Sequence, residues 1–109
     1  MVGQTDLPLH QGGLWFSPHL APEGEMFQKA WSIYTESFAD FERRSLFEHL
    51  KVMRQPRYRF SAILRGQEVV GVLGMWALPG FCFIEHVAIS AAFRSAGLGQ
   101  QALRAVQCH

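Results

Sequence analysis

Near residue 57 the hydrophobic pattern of this chain changes its period, and that change separates two predicted helices from the strands that follow. Before it, four aromatic residues recur at helical spacing: Phe27, Trp31, Tyr34 and Phe38. After it, apolar residues alternate as in a strand: Tyr58, Phe60, Ala62 and Leu64. Because the first spacing gives one helix face and the second one sheet face, the pattern predicts an α/β fold.

Two helices are predicted in the first part. The first covers about residues 23–38, with Pro22 in its first turn and Glu23 and Glu25 complementing the positive end of its dipole. Asp40 is the predicted N-cap of the second helix, which ends near Pro56. Its predicted buried stripe consists of Leu46, Phe47, Leu50 and Met53.

Four strands are predicted. A short one is predicted over residues 14–19, where Pro18 either confines it to a sheet edge or ends it. Two runs on either side of Gly66-Gln67 predict a hairpin. After the turn at Pro79-Gly80, residues 81–90 form a nearly continuous apolar run, which predicts a central strand. A last helix presents Leu98, Ala102, Leu103 and Val106 on one face, and the predicted order is β-α-α-β-β-β-α.

Length and composition fit one globular domain with a loose tail over residues 1–13. The chain has 109 residues, of which 49% are hydrophobic and 17% charged. A net charge of +1 without a basic cluster argues against nucleic-acid binding. We expect no membrane span, secretory signal or metal site, and we expect a cytoplasmic protein. Cys82 and Cys108 form no disulfide framework, so Cys82 is expected to be a buried thiol in a reduced compartment.

The stretch FRSAGLGQQALRAV, residues 93–106, places two glycines between a strand and a helix. Unpaired amides at the helix start, together with its dipole, make such a loop suited to a phosphate or pyrophosphate. A P-loop is excluded because Gln100-Gln101 stand where Lys-Ser/Thr would be required. A dinucleotide fingerprint fits poorly, because residues 90–96 separate the strand from the loop. A plain helix-starting loop remains the alternative on spacing alone.

The stretch FIEHVAISAAFRSAGLGQQAL, residues 83–103, resembles the central motif of the GNAT N-acetyltransferases, which is a strand, a short loop, R-x-x-G-x-G and a helix. The upstream order of two helices and a hairpin is also similar to that family, over roughly residues 14–107. The resemblance implies a mixed, mostly antiparallel sheet with flanking helices. It also implies a partial domain over residues 14–109 that ends after the helix following the glycine loop, because the family normally continues further.

The resemblance implies acetyl-CoA as co-substrate, with no metal, and it assigns binding positions by motif. Backbone groups of Val87, Ala88 and Ile89 match those that hold the pantetheine arm. The pyrophosphate is implied to lie on the loop amides, which here belong to Arg94, Ser95, Ala96, Gly97, Leu98, Gly99 and Gln100.

Few side chains are candidates for the chemistry. Glu85 is the one acid in an apolar strand, and it is either an ion-paired strand residue or a general base. His86 is predicted to lie on the opposite face in a structural role. Cys82 shares the face of His86 but lies about 13 Å away along a strand, which excludes a Cys–His dyad. His10 and His19 show no metal spacing. The family resemblance implies that residues 38–44, which join the two helices, border the acceptor site.

These features lead to one functional hypothesis and one alternative. The hypothesis is an acyl-CoA N-acyltransferase that moves acetyl from acetyl-CoA to an unidentified primary amine by direct attack. The alternative is a non-catalytic CoA- or nucleotide-binding half-domain that acts as a sensor or assembly module. Because residues 81–90 have an unguarded apolar edge, we also expect self-association there or pairing with a missing C-terminal segment.

Overall fold

A computed structural model describes residues 7–8, 13–17, 20–94 and 96–106. In chain order, the elements are β1 (Leu7–Pro8), β2 (Leu14–Ser17), α1 (Glu25–Ser37), α2 (Leu46–Val52), β3 (Tyr58–Arg65), β4 (Glu68–Leu78), β5 (Phe81–Ile89) and α3 (Leu98–Ala105). Short 3-10 turns cover Asp40–Glu42 and Ala91–Phe93. The predicted order of elements is confirmed. β1 adds two residues of strand inside the segment that we expected to be a loose tail.

The strands form one sheet in the order β1-β2-β3-β4-β5, and every neighbouring pair is antiparallel. β5 therefore lies at an edge, and no strand of the described residues pairs with its outer side. The expectation of a central strand is wrong for the described chain, because the chain leaves β5 for α3 without adding a further strand. Association of copies through this edge stays a prediction.

The sheet has an apolar core on each face. Helices α1 and α2 cover the first face, which includes the four predicted alternating residues of β3 and Val72 of β4. Helix α3 covers the second face, which includes Ile63, Val70, Leu73 and Ile89. Because β3 is buried on both faces, it is the structural centre of the sheet.

The second helix begins differently from the prediction. Ser45, not Asp40, is its N-cap: the Ser45 hydroxyl accepts a hydrogen bond from the Glu48 amide, 3.2 Å away. The Glu48 carboxylate in turn accepts one from the Ser45 amide, 3.3 Å away. This reciprocal Ser-x-x-Glu capping box satisfies two amides at once, whereas Asp40 only begins a 3-10 turn.

The predicted buried stripe of α2 is also wrong in part. Leu46 and Phe47 are exposed, Phe47 by 73%, while the fully buried residue of this helix is His49. With only seven residues, α2 presents a narrow face to the sheet, and that face is centred on His49. Leu103 of α3 is likewise exposed, although Leu98 and Ala102 are buried as predicted.

His49 lies in an aromatic enclosure. Its ring centroid is 4.2 Å from that of Phe60, 5.0 Å from Trp31 and 5.3 Å from Tyr34. Within the described residues, neither ring nitrogen has a hydrogen-bond partner. Burial, together with the charge of Arg44, lowers the pKa of His49 to about 4, so the ring is neutral near pH 7.

This burial predicts a loss of stability in mild acid. Because the unfolded chain binds a proton at the ordinary histidine pKa of about 6.5 and the folded chain does not, stability is full above that pH. It falls by about 1.4 kcal/mol per pH unit between pH 6.5 and 4, by roughly 3 kcal/mol in total. Urea unfolding of the wild type and of His49→Phe across this range measures the difference. Parallel pH dependences of the two proteins would contradict a neutral buried His49.

Candidate functional site

A β-bulge in β5 shapes the candidate site. Gly74 pairs with His86 and Met75 with Ile84, which leaves Glu85 without a partner on β4. Because two residues of the bulged strand oppose one residue, the usual alternation of side chains is broken there. Glu85 contacts Arg44 and Trp76, while His86 packs on Tyr34 and Phe38. The two side chains therefore share the face covered by α1 and α2, and the predicted opposite placement of His86 is wrong.

Glu85 is held by two donors. The Arg44 Nη2 atom lies 2.8 Å from each carboxylate oxygen, and the Trp76 indole Nε1 lies 3.3 Å from Oε1. The side chain of Glu85 is 26% exposed, so these charge-assisted bonds are partly shielded from water. The ion-paired alternative for Glu85 is thus what the structure contains, while its role as a base stays a prediction.

Arg44 ends the segment that was expected to border the acceptor site, but its pairing with Glu85 was not predicted from the sequence. Its backbone amide donates to the Tyr34 hydroxyl at 3.0 Å, and its guanidinium carbon lies 5.5 Å from the centroid of the Tyr58 ring. Burial raises the pKa of the Tyr58 phenol, which therefore stays protonated beside this cation. No local pattern could have paired Arg44 with Glu85, since 41 residues separate them.

His86 fastens the segment between α1 and α2 to the sheet. Its Nε2 lies 3.0 Å from the Glu42 carbonyl oxygen, and because a carbonyl can only accept, Nε2 is the donor. Its ring meets those of Tyr34 and Phe38 edge-on, at 5.0 and 4.7 Å between centroids. These contacts fit the predicted structural role of His86.

Cys82 lies away from this cluster. It packs with the core beneath α3, on the opposite face from His86, which again rules out a dyad between them. It is half-buried and disulfide-bonded, so the expectation of a buried free thiol is wrong. His10, His19 and Cys108 lie outside the described residues.

Gly74 makes room for Tyr58. A Cβ at Gly74 would lie 2.7 Å from the Tyr58 hydroxyl oxygen and 3.6 Å from the ring carbon that carries it. Tyr58 therefore extends from β3 across the backbone of β4, towards the bulged part of β5. Within the described residues, its buried hydroxyl has no hydrogen-bond partner.

The glycine loop opens α3 with its amides free of helical bonds. Gly97 is the N-cap with φ +75°, a left-handed conformation that favours glycine. The first helical bond runs from the Gln101 amide to the Gly97 carbonyl at 3.1 Å, so the amides of residues 98–100 precede it. A Cβ at Gly97 would meet nothing within 4 Å, and one at Gly99 only Ile89 at 3.7 Å. The side of the loop facing away from the core is therefore open.

Arg94 joins the loop to the end of β5. Its Nε donates to the Ile89 carbonyl at 3.0 Å, and its Nη2 lies 3.5 Å from the Ser37 hydroxyl. The predicted binding positions Val87, Ala88 and Ile89 lie on the edge strand that leads into the loop. The structure thus brings these predicted positions together along one side of the molecule, apart from Ser95, which lies outside the described residues.

Among the described residues, no three histidine, cysteine, aspartate or glutamate side chains cluster closely enough to hold a metal ion. No helix in the described part of the chain has the length and apolar character needed to cross a bilayer.

Comparison with known proteins gives a consistent family assignment. Residues 24–107 match the model of the acetyltransferase (GNAT) family. A solved structure assigned to the same family, from Bacteroides thetaiotaomicron, superimposes with a TM-score of 0.76 at 23% sequence identity. That match covers 82% of this chain and 51% of the other, so this chain spans about half the length of that protein. No curated protein sequence matches.

The fit of Tyr58 over Gly74 predicts an energetic coupling between them. Gly74→Ala should destabilise the fold by about 1–3 kcal/mol, because the new methyl group overlaps the Tyr58 hydroxyl. In a Tyr58→Phe background most of this cost should disappear, because the next atom lies at an ordinary contact distance of 3.6 Å. A double-mutant cycle in urea measures the coupling.

Gly71→Ala is the matched control for this cycle. Its Cβ would lie 2.6 Å from the Ala88 carbonyl oxygen, a backbone clash that Tyr58→Phe cannot relieve. Its cost should be the same in both backgrounds. An equal cost for Gly74→Ala in both backgrounds would show that Tyr58 does not need this glycine.

Proposed function

The chain belongs to the acetyltransferase (GNAT) family, and on that premise we propose that it transfers an acetyl group from acetyl-CoA to a primary amine. The observation that carries the proposal is the continuity of β5, Arg94 and the α3 N-terminus. Within the described residues the outer edge of β5 is unpaired, and it leads through Arg94 into a loop in which the amides of residues 98–100 precede the first helical bond. Such amides, reinforced by the helix dipole, suit a pyrophosphate.

The proposed CoA site uses backbone more than side chains. The open edge of Val87, Ala88 and Ile89 offers N–H and C=O groups to the amides of the pantetheine arm. The loop from Arg94 through Gln100, Ser95 included, would hold the pyrophosphate. Gly97 and Gly99 suit this role because neither has a side chain to keep an anion away from the backbone.

The proposed reaction is direct attack. The amine nitrogen adds to the thioester carbonyl carbon, the C–S bond then breaks, and CoA leaves as a thiolate. The proton lost by the amine goes to Glu85, directly or through one water. Glu85 is the bulged residue of β5 and lies two residues before Val87, about 7 Å along the strand. A base at this position would lie near the inner end of the proposed pantetheine site.

The non-catalytic alternative keeps one observation in its favour. The chain spans about half of the matching Bacteroides protein, so a CoA-binding half-domain would account for the same loop. The two functions differ in one measurement, since both predict CoA binding but only the enzyme acetylates an amine. Acetyl-CoA consumption by the purified chain in the presence of a mixture of primary amines separates them.

Valine at the loop glycines should abolish CoA binding. At about 100 times its dissociation constant, CoA should stabilise the wild type by about 2.7 kcal/mol. Gly97→Val and Gly99→Val should lose this gain, because the side chain prevents close approach to the amides. Thermal unfolding with and without CoA measures it. Gly66→Val is the matched control: Gly66 also has a positive φ, +63°, and open space around it, but it lies in the β3–β4 turn.

The control carries the same backbone strain as Gly97→Val and should keep the full gain from CoA. If both loop variants also kept it, the assignment of the CoA site would be wrong, whatever the activity of the chain.

Glu85→Gln should lower the acetylation rate about 10²- to 10⁴-fold, the usual effect of losing a general base. CoA affinity should change little, because the loop is untouched. Glu68→Gln, at an exposed position at the start of β4, is the control and should leave the rate unchanged. A near-normal rate for Glu85→Gln, with an unaltered fold, would leave Glu85 a purely structural partner of Arg44.

A further inference from the structure

Three aromatic side chains form a row across the sheet beside Glu85. Tyr58 of β3 pairs with Trp76 of β4, and Trp76 pairs with Phe83 of β5, so all three point to the same face. We call Tyr58, Trp76 and Phe83 the aromatic row. Exposure increases along it, from 5% at Tyr58 through the half-buried Trp76 to 53% at Phe83. The row therefore runs from the core to an open apolar surface.

The open end of this row continues with further apolar side chains. Phe81 pairs with Leu78 one step beyond Phe83 on the same face, and Phe81 is also exposed. Exposed large aromatics grouped on one sheet face usually mark a binding surface rather than ordinary protein exterior. Nothing in the mechanism proposed above uses this surface.

Glu85 lies at the inner border of the surface and keeps a free acceptor position. A carboxylate has about four lone-pair sites. Three hydrogen bonds occupy it here, two from Arg44 and one from the Trp76 indole. Since a quarter of its side chain is exposed, one further donor can reach it from solvent. A ligand ammonium at that position would also lie near the Trp76 ring, where cation–π attraction adds to the ion pair.

The charges around the surface limit what the ligand can be. Arg44 binds the Glu85 carboxylate. Arg57 donates to the carbonyl of Ala77, the residue after Trp76, at 3.3 Å. One arginine bound to Glu85 and a second bonded next to Trp76 disfavour a ligand with several positive charges. The complementary ligand has one ammonium group and an apolar body.

We infer that this surface is the acceptor subsite and that the acceptor is a primary monoamine carrying a large apolar or aromatic group. The inference rests on the proposed function. The ammonium binds Glu85 and gives one proton to solvent to become the neutral nucleophile, whose second proton passes to Glu85 on attack. The apolar group lies on Trp76, Phe83 and Phe81. The bulge sets the orientation of the acceptor, because Glu85 lies between this surface and the proposed pantetheine positions of β5.

Binding alone tests the inference without acetyl transfer. In NMR titrations of the 109-residue chain, phenethylamine should shift the Trp76 indole N–H signal, which Trp76→Phe identifies. It should bind at least about tenfold more tightly than ethylamine, as expected for burial of a phenyl group. It should also bind more tightly than 2-phenylethanol, which has the same body without the charge.

Two variants test the apolar contact and the charge contact separately, and a third variant is the control. Phe83→Ala should reduce phenethylamine affinity about tenfold while leaving ethylamine unchanged. Glu85→Gln should weaken phenethylamine but not 2-phenylethanol. Phe47→Ala removes an even more exposed phenyl group from α2 and should change the affinity for neither amine. Equal affinities for phenethylamine and ethylamine, or no effect of Phe83→Ala, would overturn the inference.

The outcomes also keep the inference apart from the proposed function. Selective binding of phenethylamine without acetylation would support the subsite and refute the activity of this chain. Acetylation of amines with no preference for an apolar group, and no change of that preference in Phe83→Ala, would support the activity and refute the subsite.

Discussion

The unpaired residue in β5 is the constraint on which the candidate site depends. Because Glu85 has no pairing partner on β4, the successive side chains of Glu85 and His86 both point to the face covered by α1 and α2. Glu85 can then reach Arg44 and Trp76, while His86 reaches the rings of Tyr34 and Phe38. Without the bulge, one of these two residues would point towards α3, and its contacts would be lost.

The same bulge binds the segment between α1 and α2 to the sheet. The Glu42 carbonyl accepts from His86, the Arg44 guanidinium binds Glu85, and the Arg44 amide donates to Tyr34. The contacts with His86 and Glu85 each span more than 40 residues, so tertiary structure adds to the local hydrogen bonds that order this segment. Because Arg44 of this segment binds Glu85, a substitution of Glu85 would also change the local order of the segment.

Two glycines serve the site through different physical requirements. Gly74 provides space, because Tyr58 crosses the backbone of β4 where a methyl group would stand. Gly97 provides a left-handed conformation, which lets the chain turn into α3. Along β5, Phe83 of the aromatic row comes first, Glu85 follows it, and the edge and loop proposed for CoA come last.

The sequence alone determined the elements, because hydrophobic period and turn residues are local: the hairpin at Gly66, the alternation of β3 and the glycine loop before α3 all follow from it. It also indicated the family, through a motif contained in about twenty residues. It failed where neighbours in space decide. The burial of His49 depends on the aromatic residues of α1 and β3, and the placement of His86 depends on register with β4. Only the tertiary structure decided that Arg44 pairs with Glu85, because an ion pair across 41 residues leaves no periodic trace in the sequence.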